Sequence, residues 1–347
     1  MTTNAACPRL PAHAGVRVAA PARLHLGFLD PDGTLGRRWG GLGLCVEGFE
    51  TVIELRPAAT DRLSAAPGVP AAELDRAGAH VARLRHHWPT TAATPLHLHL
   101  AAALPPHAGF GSGTQLALAT GRAYATLFGR DDPTPQLAQA LGRGLRSGIG
   151  IAAFDQGGLL LDGGPSQADP TTAPTRVAPL LARLALPPAW RVLLALDPTT
   201  QGLSGSAERQ ALQALPPFPQ GAAAAICHET LMRVLPGAAS DEFSAFARGL
   251  NRIQALLGEH FAPAQPDGAY TSPAVGRLMR WLGEHRQAAV GQSSWGPTGF
   301  AFFASEANAH AACESARAAG RLDPALALHV VAARNAGASV SPLEAGA

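Results

Sequence analysis

Lysine is absent: all 27 basic residues of the 347-residue chain are arginine. That removes Schiff-base chemistry and the lysine of a Walker-type phosphate loop. Charge is scarce as well. Charged residues make up 15% of the chain and the net charge is +2, too small a surplus for a surface built around nucleic acid. The four cysteines, Cys7, Cys45, Cys227 and Cys313, form no Cys-x-x-Cys pair. Neither a disulfide framework nor a zinc cluster is expected, and reduced thiols fit the cytoplasm. Met1 to Ala14 has no apolar signal core, and no apolar run approaches the roughly 20 residues that span a bilayer. A cytoplasmic protein without a membrane segment is expected. Three catalytic signatures are also missing: the Gly-x-Ser-x-Gly nucleophile elbow, a Gly-x-Gly-x-x-Gly after a first strand, and His-Glu-x-x-His.

What is present is a chain that is 47% hydrophobic, enough for a full core and for two domains. Its most informative stretch is Pro105 to Gln115. It joins the alternating run Leu96-His97-Leu98-His99-Leu100 to a helical run from Leu116 to Phe128. Gly109, Gly111 and Gly113 let the backbone turn tightly and approach a ligand, and Ser112, Thr114 and Gln115 open the helix. The first N–H groups of a helix lack internal partners and its dipole favours negative charge, so the arrangement suits a phosphate or pyrophosphate. His97 and His99 share a strand face but have no third ligand in view, which favours packed histidines over a metal site.

Elsewhere, Val16 to Ala20 reads as a strand, interrupted by Pro21-Ala22-Arg23 and resumed in Leu24 to Phe28, which places Arg23 and His25 on one face. Val46 to Arg56 reads as another strand. Pro70 to Trp88 and Pro133 to Leu141 read as helices. Gly142 to Gly150 is a glycine-rich loop whose arginines, Arg143 and Arg146, suit phosphate oxygens. Ile151 to Leu161 reads as a strand in which Asp155 would need a partner. Gly163 to Thr175 is polar and proline-containing, a surface connection. Trp190 to Leu196, Phe300 to Phe303 and Leu326 to Ala333 read as strands. Ala222 to Leu235, Ser240 to Leu257, Ser272 to His285 and His310 to Gly320 read as helices. Gly291 to Gly299 is an unusual loop. The chain is expected to divide into a disordered leader (1–15), an N-terminal domain (16–170), a C-terminal domain (171–334) and a disordered tail from Asn335 to Ala347.

Three loops carry a resemblance. Pro21-Ala22-Arg23-Leu24-His25-Leu26-Gly27, Gly109 to Gln115 and Gly291 to Thr298 follow the order of the three motifs of the GHMP kinase superfamily. The chain resembles one member group more closely, the β-ribofuranosylaminobenzene 5′-phosphate synthases. The resemblance runs through Arg23 to Gly27 with Asp30 following, Gly109 to Ala117, Arg146-Ser147-Gly148-Ile149-Gly150, Phe261-Ala262-Pro263 and Gly291-Gln292-Ser293-Ser294-Trp295-Gly296-Pro297-Thr298. It covers about residues 16 to 304. Many GHMP kinases place a catalytic aspartate three positions after the serine; here Ser147 is followed by Gly150. With no lysine either, the kinase acid/base apparatus is missing.

The resemblance implies an α/β (α+β) fold with mixed sheets, an N-terminal ribosomal-protein-S5-like region and a C-terminal ferredoxin-like region, the site lying between them. It implies phosphoribosyl transfer from phosphoribosyl pyrophosphate to 4-aminobenzoate or 4-hydroxybenzoate, with loss of pyrophosphate and carbon dioxide, on the route to tetrahydromethanopterin. Magnesium is expected as cofactor, small molecules as the partners, and a homodimer as the family's assembly. Gly109, Gly111, Ser112, Gly113, Thr114 and Gln115 are expected to bind pyrophosphate. Arg23 and Arg146 would neutralise phosphate or carboxylate, and Ser147 would help bind phosphate or substrate. His25 would handle a proton, and Asp155 would contact metal or ribose. Gln292, Ser293, Ser294 and Trp295 would close the aromatic or ribose side. An ATP-dependent small-molecule kinase and a non-catalytic metabolite-binding protein of the same fold are the alternatives.

Overall fold

The computed structural model describes residues 15–91, 93–165, 177–203 and 205–343. Its elements begin with β1 (Val16–Asp30), β2 (Trp39–Pro57), β3 (Arg62–Ala65), α1 (Ala71–His87), β4 (Leu96–Ala102), α2 (Ser112–Leu127) and α3 (Thr134–Ala140). Next come α4 (Ile149–Gln156), β5 (Leu159–Asp162), β6 (Leu180–Leu184), β7 (Arg191–Leu196), α5 (Gly205–Ala214) and α6 (Gln220–Glu229). A π-turn at Thr230–Val234 leads from α6 into α7 (Leu235–Ala239). Then follow α8 (Phe243–Phe261), α9 (Pro273–His285), β8 (Ala289–Gln292), β9 (Gly299–Phe303), α10 (Glu306–Ala318), β10 (Ala327–Ala332) and β11 (Ser339–Pro342).

Two sheets result. The first has seven strands in the order β11-β1-β2-β4-β3, with β5 pairing the early half of β2 and β6 pairing β5. Only β3 and β4 are parallel there. The second is antiparallel with the order β10-β7-β9-β8. With α9 and α10 on one face, that order is the βαββαβ arrangement of a ferredoxin-like unit. Strand alternation divides its side chains cleanly. Leu193, Ala195, Ala301 and Phe303 meet Val275, Leu278, Met279 and Ala312 of the two helices. Val192, Leu194, Phe300 and Phe302 turn the other way, to Leu24, Leu26, Leu42 and Leu44 of the first sheet and Ile226 of α6. Helix α8 reaches the same core with Phe243, Phe246, Leu250, Ile253 and Leu257, the i, i+3, i+4, i+7 stripe of an amphipathic helix. One core therefore joins both sheets, and the strand carrying Arg23 and His25 runs through it.

Four expectations change. Pro21 does not interrupt the first strand; β1 is continuous and absorbs the irregularity as register shifts at Pro21/Ala22 and His25/Gly27. Residues 151–156 are helix, and only Leu159–Asp162 is strand. The apolar run Ile149 to Phe154 fits a buried helix as well as a buried strand. The Asp162 carboxylate decides it by accepting from Gly148 N and Ile149 N at the helix start, and Gly157 and Gly158 end the helix at positive φ. The tail is not disordered from Asn335. The Asn335 side chain brackets Leu186 with two hydrogen bonds, and β11 pairs with β1 from Val16↔Pro342 to Ala19↔Ser339. An edge strand is held by backbone bonds, so it needs no apolar pattern. Residues 1–14 and 344–347 lie outside the described residues, as do 166–176 of the polar connection. Finally, β6 and β11 return to the first sheet from beyond residue 170.

Candidate active site

Strand β4 delivers the chain to the glycine loop, and α2 begins at Ser112 with Gly111 as its N-terminal residue in the left-handed region (φ 73°) and no side-chain cap. Gly109 is also left-handed (φ 91°). Gly111 O accepts from Thr114 N and Gln115 N, so the N–H groups of Ser112 and Gly113 have no partner inside the helix. An uncapped helix start after a strand presents free N–H donors of the kind that suit an anion.

Arg23 and His25 project from one face of β1 as their alternation predicts. The Arg23 guanidinium lies against Gly111: a Cβ there would sit 3.0 Å from Arg23 Cζ and Nε. Arg23 Nη1 donates to Gly109 O (3.2 Å), Arg23 N donates to Phe110 O (3.1 Å), and the buried Nε has no partner. Burial lowers its pKa to about 10, which still leaves it charged at neutral pH. His25 is only 3% exposed. Burial first, then the charges of Arg23 and Arg146, lowers its pKa to about 3, so the imidazole is neutral at physiological pH. Its Nε2 is buried without a partner.

The loop after β8 locks onto His25 and the glycine loop. Ser293 Oγ accepts from His25 N (3.0 Å) and donates to Gly109 O (2.7 Å). Ser294 N donates to His25 O (3.3 Å), with Ser294 itself at φ 54°. Gln292 uses its whole amide: Oε1 accepts from Thr271 N, and Nε2 donates to Gln265 Oε1 and Ser294 O. A Cβ on Gly296 would overlap the backbone of Ala108 and Gly109, so this loop and the glycine loop touch backbone to backbone. The side chains of Ser293 and Gln292 thus have their hydrogen bonds spent within the protein. The Asp197 loop supports the assembly. Although burial opposes it, hydrogen bonds from Ser272, Thr199 and Thr200 hold the Asp197 carboxyl at about 2.

Beside His25 opens a cavity of about 330 Å³, lined by Phe28, Leu257, Phe261, Tyr270 and Trp295 together with Asn251, Gln254, Gln265, Gln292 and Ser294. Trp295 stacks obliquely on Phe261 at 4.9 Å. Apolar walls with a few amides suit a flat ring bearing polar ends.

Other expected site residues are placed differently. Gln115 is buried and donates to Gly150 O (2.9 Å), and Thr114 packs on Gly150, so both tie α2 to α4. Arg146 gives both terminal nitrogens to Glu208 (2.9 and 3.0 Å), and Ser147 Oγ donates to Asp162 (2.8 Å). Asp155 is exposed near the end of α4, where its carboxylate accepts from Thr134 Oγ1, and it does not join this cluster. No group of three or more His, Cys, Asp or Glu side chains able to hold a metal occurs among the described residues. Glu208 is committed to Arg146, so the residues around the loop do not fit a protein-held magnesium. His97 and His99, both half-buried, share Ser64 Oγ at 2.7 and 2.9 Å. Gln254, Gln265, Asp162 and Glu208 had no motif to announce them.

Strand, left-handed glycine loop, uncapped helix and an antiparallel second unit define a protein of the GHMP kinase class. The model of the GHMP kinases N terminal domain matches residues 76–158, and that of the GHMP kinases C terminal domain matches residues 234–322. Homoserine kinase from Cytophaga hutchinsonii shares the fold, with a TM-score of 0.63 at 17% identity, over 97% of this chain and 100% of that one. In sequence, the β-ribofuranosylphenol 5′-phosphate synthase of Archaeoglobus fulgidus is 33% identical over 84% of this chain and 89% of its own length. That of Methanothermobacter thermautotrophicus is 30% identical over 81% and 86%. The chain belongs to the β-ribofuranosylphenol 5′-phosphate synthase family.

Proposed function

We propose that this protein transfers the phosphoribosyl group of phosphoribosyl pyrophosphate to the ring carbon of a 4-substituted benzoate, releasing pyrophosphate and carbon dioxide. The observation that carries the reading is the pairing of an anion seat with an aromatic cavity through one strand. Arg23 serves the seat and His25 the cavity, two residues apart on one face of β1 and so about 7 Å along the strand, roughly a ribose in length. The relatives' name contains a phenol, which favours 4-hydroxybenzoate over 4-aminobenzoate as acceptor.

The electron balance needs no protein proton. The C1–O bond of the donor breaks and its electron pair leaves with pyrophosphate. Ring π electrons form the new C–C bond at the carbon bearing the carboxylate. The bond to that carboxylate then breaks, its pair restores aromaticity, and carbon dioxide departs. The free helix N–H groups and Arg23 stabilise the leaving charge in a dry site, where such donors count most. The remaining N–H groups of Arg23 orient the benzoate carboxylate above the ribosyl carbon. A neutral His25 fits this scheme as a wall of the cavity rather than a proton carrier. Magnesium expected with such a donor would be held by the donor's own phosphate oxygens. Cys45, Cys227 and Cys313 are free thiols, in keeping with a cytoplasmic enzyme, and the homodimer belongs to this same proposal.

Carbon dioxide release from carboxyl-labelled 4-hydroxybenzoate and 4-aminobenzoate tests it. Release should require phosphoribosyl pyrophosphate and be absent with ATP alone. Folded protein that releases none from either acid refutes the synthase reading.

A further inference from the structure

We propose that Arg76, Arg83 and Arg143 form a second anion subsite on the outer flank of α2, which holds the terminal phosphate of a diphosphate whose inner phosphate sits on the glycine loop. The assignment rests on the pyrophosphate reading above and adds to it a place for the distal phosphate.

The geometry begins at Gly113. Unlike Gly109 and Gly111 it does not adopt a positive φ, so conformational freedom is not its purpose. Room is. A Cβ there would lie 2.6 Å from Arg76 Nη2 and 3.6 and 3.7 Å from the two terminal nitrogens of Arg143. Two guanidinium groups therefore flank the free N–H end of α2, on residues other than those that serve Arg23. Arg76, His80 and Arg83 stand at i, i+4 and i+7 on α1 and so share a face. The terminal nitrogens of Arg83 reach the Gly142 backbone beside Arg143, 3.2 and 3.4 Å from the position of a Cβ on Gly142.

These charges are not compensated. Of these three arginines only Arg76 has an ion pair among the described residues, with Glu73 (2.7 Å). The Arg143 side chain makes no hydrogen bond or ion pair among the described residues, and its Nε is buried and unpartnered. His80 is 7% exposed and neither ring nitrogen has a partner. Burial and the three arginines, Arg143 foremost, lower its pKa to about 4. Three guanidinium groups and one carboxylate leave a surplus of two positive charges around a neutral, unpaired imidazole. Self-repulsion of that kind destabilises the empty protein and is relieved by an anion. Phosphate matches it best, because the planar fork binds two oxygens at once.

Titration calorimetry with inorganic pyrophosphate and with orthophosphate tests this on the intact protein, without any turnover. Wild type should bind pyrophosphate at least tenfold more tightly than orthophosphate. Arg143→Met should weaken pyrophosphate at least tenfold, and Arg143→Lys, which keeps the charge but loses the fork, by less. The ligand-free melting temperature of Arg143→Met should equal or exceed that of wild type, because a like charge has been removed. Equal affinity for the two anions, or pyrophosphate affinity unchanged in folded Arg143→Met, overturns the subsite. So does a lower melting temperature with unchanged affinity, which would make Arg143 a structural residue. If pyrophosphate binds as expected but labelled benzoates release nothing, the synthase reading falls and the subsite stands.

Discussion

At the scale of the residue, buried imidazoles set the acid response. His25 and His80 have pKa values near 3 and 4, below the ordinary 6.5, because burial and neighbouring arginines disfavour their cations. The unfolded chain takes up protons below about 6.5 and the folded chain does not, so the stability from these groups is full above that pH and shrinks as pH falls towards 4. The melting temperature should fall between pH 7 and pH 5, and less so in His80→Gln. A flat profile would show that these imidazoles titrate in the folded protein as they do in the unfolded chain. Through the same shift, kcat/KM should show no His25 ionisation between pH 5 and pH 8. Arg23 and Gly109 were legible in the sequence because strand alternation and glycine spacing are local. The commitments of Arg146 to Glu208 and Ser147 to Asp162 were not, since each pairs residues that no local pattern links.

At the scale of the element, the site depends on two loops meeting backbone to backbone. Gly296→Ala places a methyl into Ala108 and Gly109, so one loop must withdraw. The expected cost is about 1–3 kcal/mol of stability. Pyrophosphate affinity should fall with it, because the loop that holds Gly109 O through Ser293 moves. Thermal melts with a pyrophosphate titration check both, and retention of wild-type binding would mean that the loops are independent. Helix α4 forms where the residue pattern also allows a strand. Ile149 to Phe154 is apolar on all sides, and periodicity cannot separate a short buried helix from a buried strand. The deciding group, Asp162, lies after the segment and caps it only once β5 is in place.

At the scale of the whole molecule, the last strand closes the first sheet. β11 covers the outer edge of β1, Ala338 N donates to Phe154 O (2.7 Å), and Asn335 brackets Leu186. Ending the chain at Arg334 should lower the free energy of unfolding by about 2–4 kcal/mol, a few net hydrogen bonds. It should also expose the edge of β1 and promote self-association. Denaturant unfolding and light scattering measure the two effects. An unchanged midpoint would mean that the tail pairs without stabilising. No helix among the described residues is long and apolar enough to cross a membrane.

By itself the sequence determined the elements whose signals are local. These are the α1, α2, α8 and α9 helices with their 3.6-residue stripes, the Arg23/His25 alternation, and the glycine loop with the helix behind it. It also determined the family, through short strings that composition cannot produce. Only the tertiary structure decided which polar groups stay free for a ligand. Hydrogen bonds and ion pairs are formed between residues far apart in the chain, so their partners depend on how the sheets pack. Packing spent Ser293, Gln292, Ser147 and Arg146 on one another's neighbours, carried Asp155 away from the cradle, and left Arg23 Nε, Arg143 Nε and the first N–H groups of α2 without a partner among the described residues.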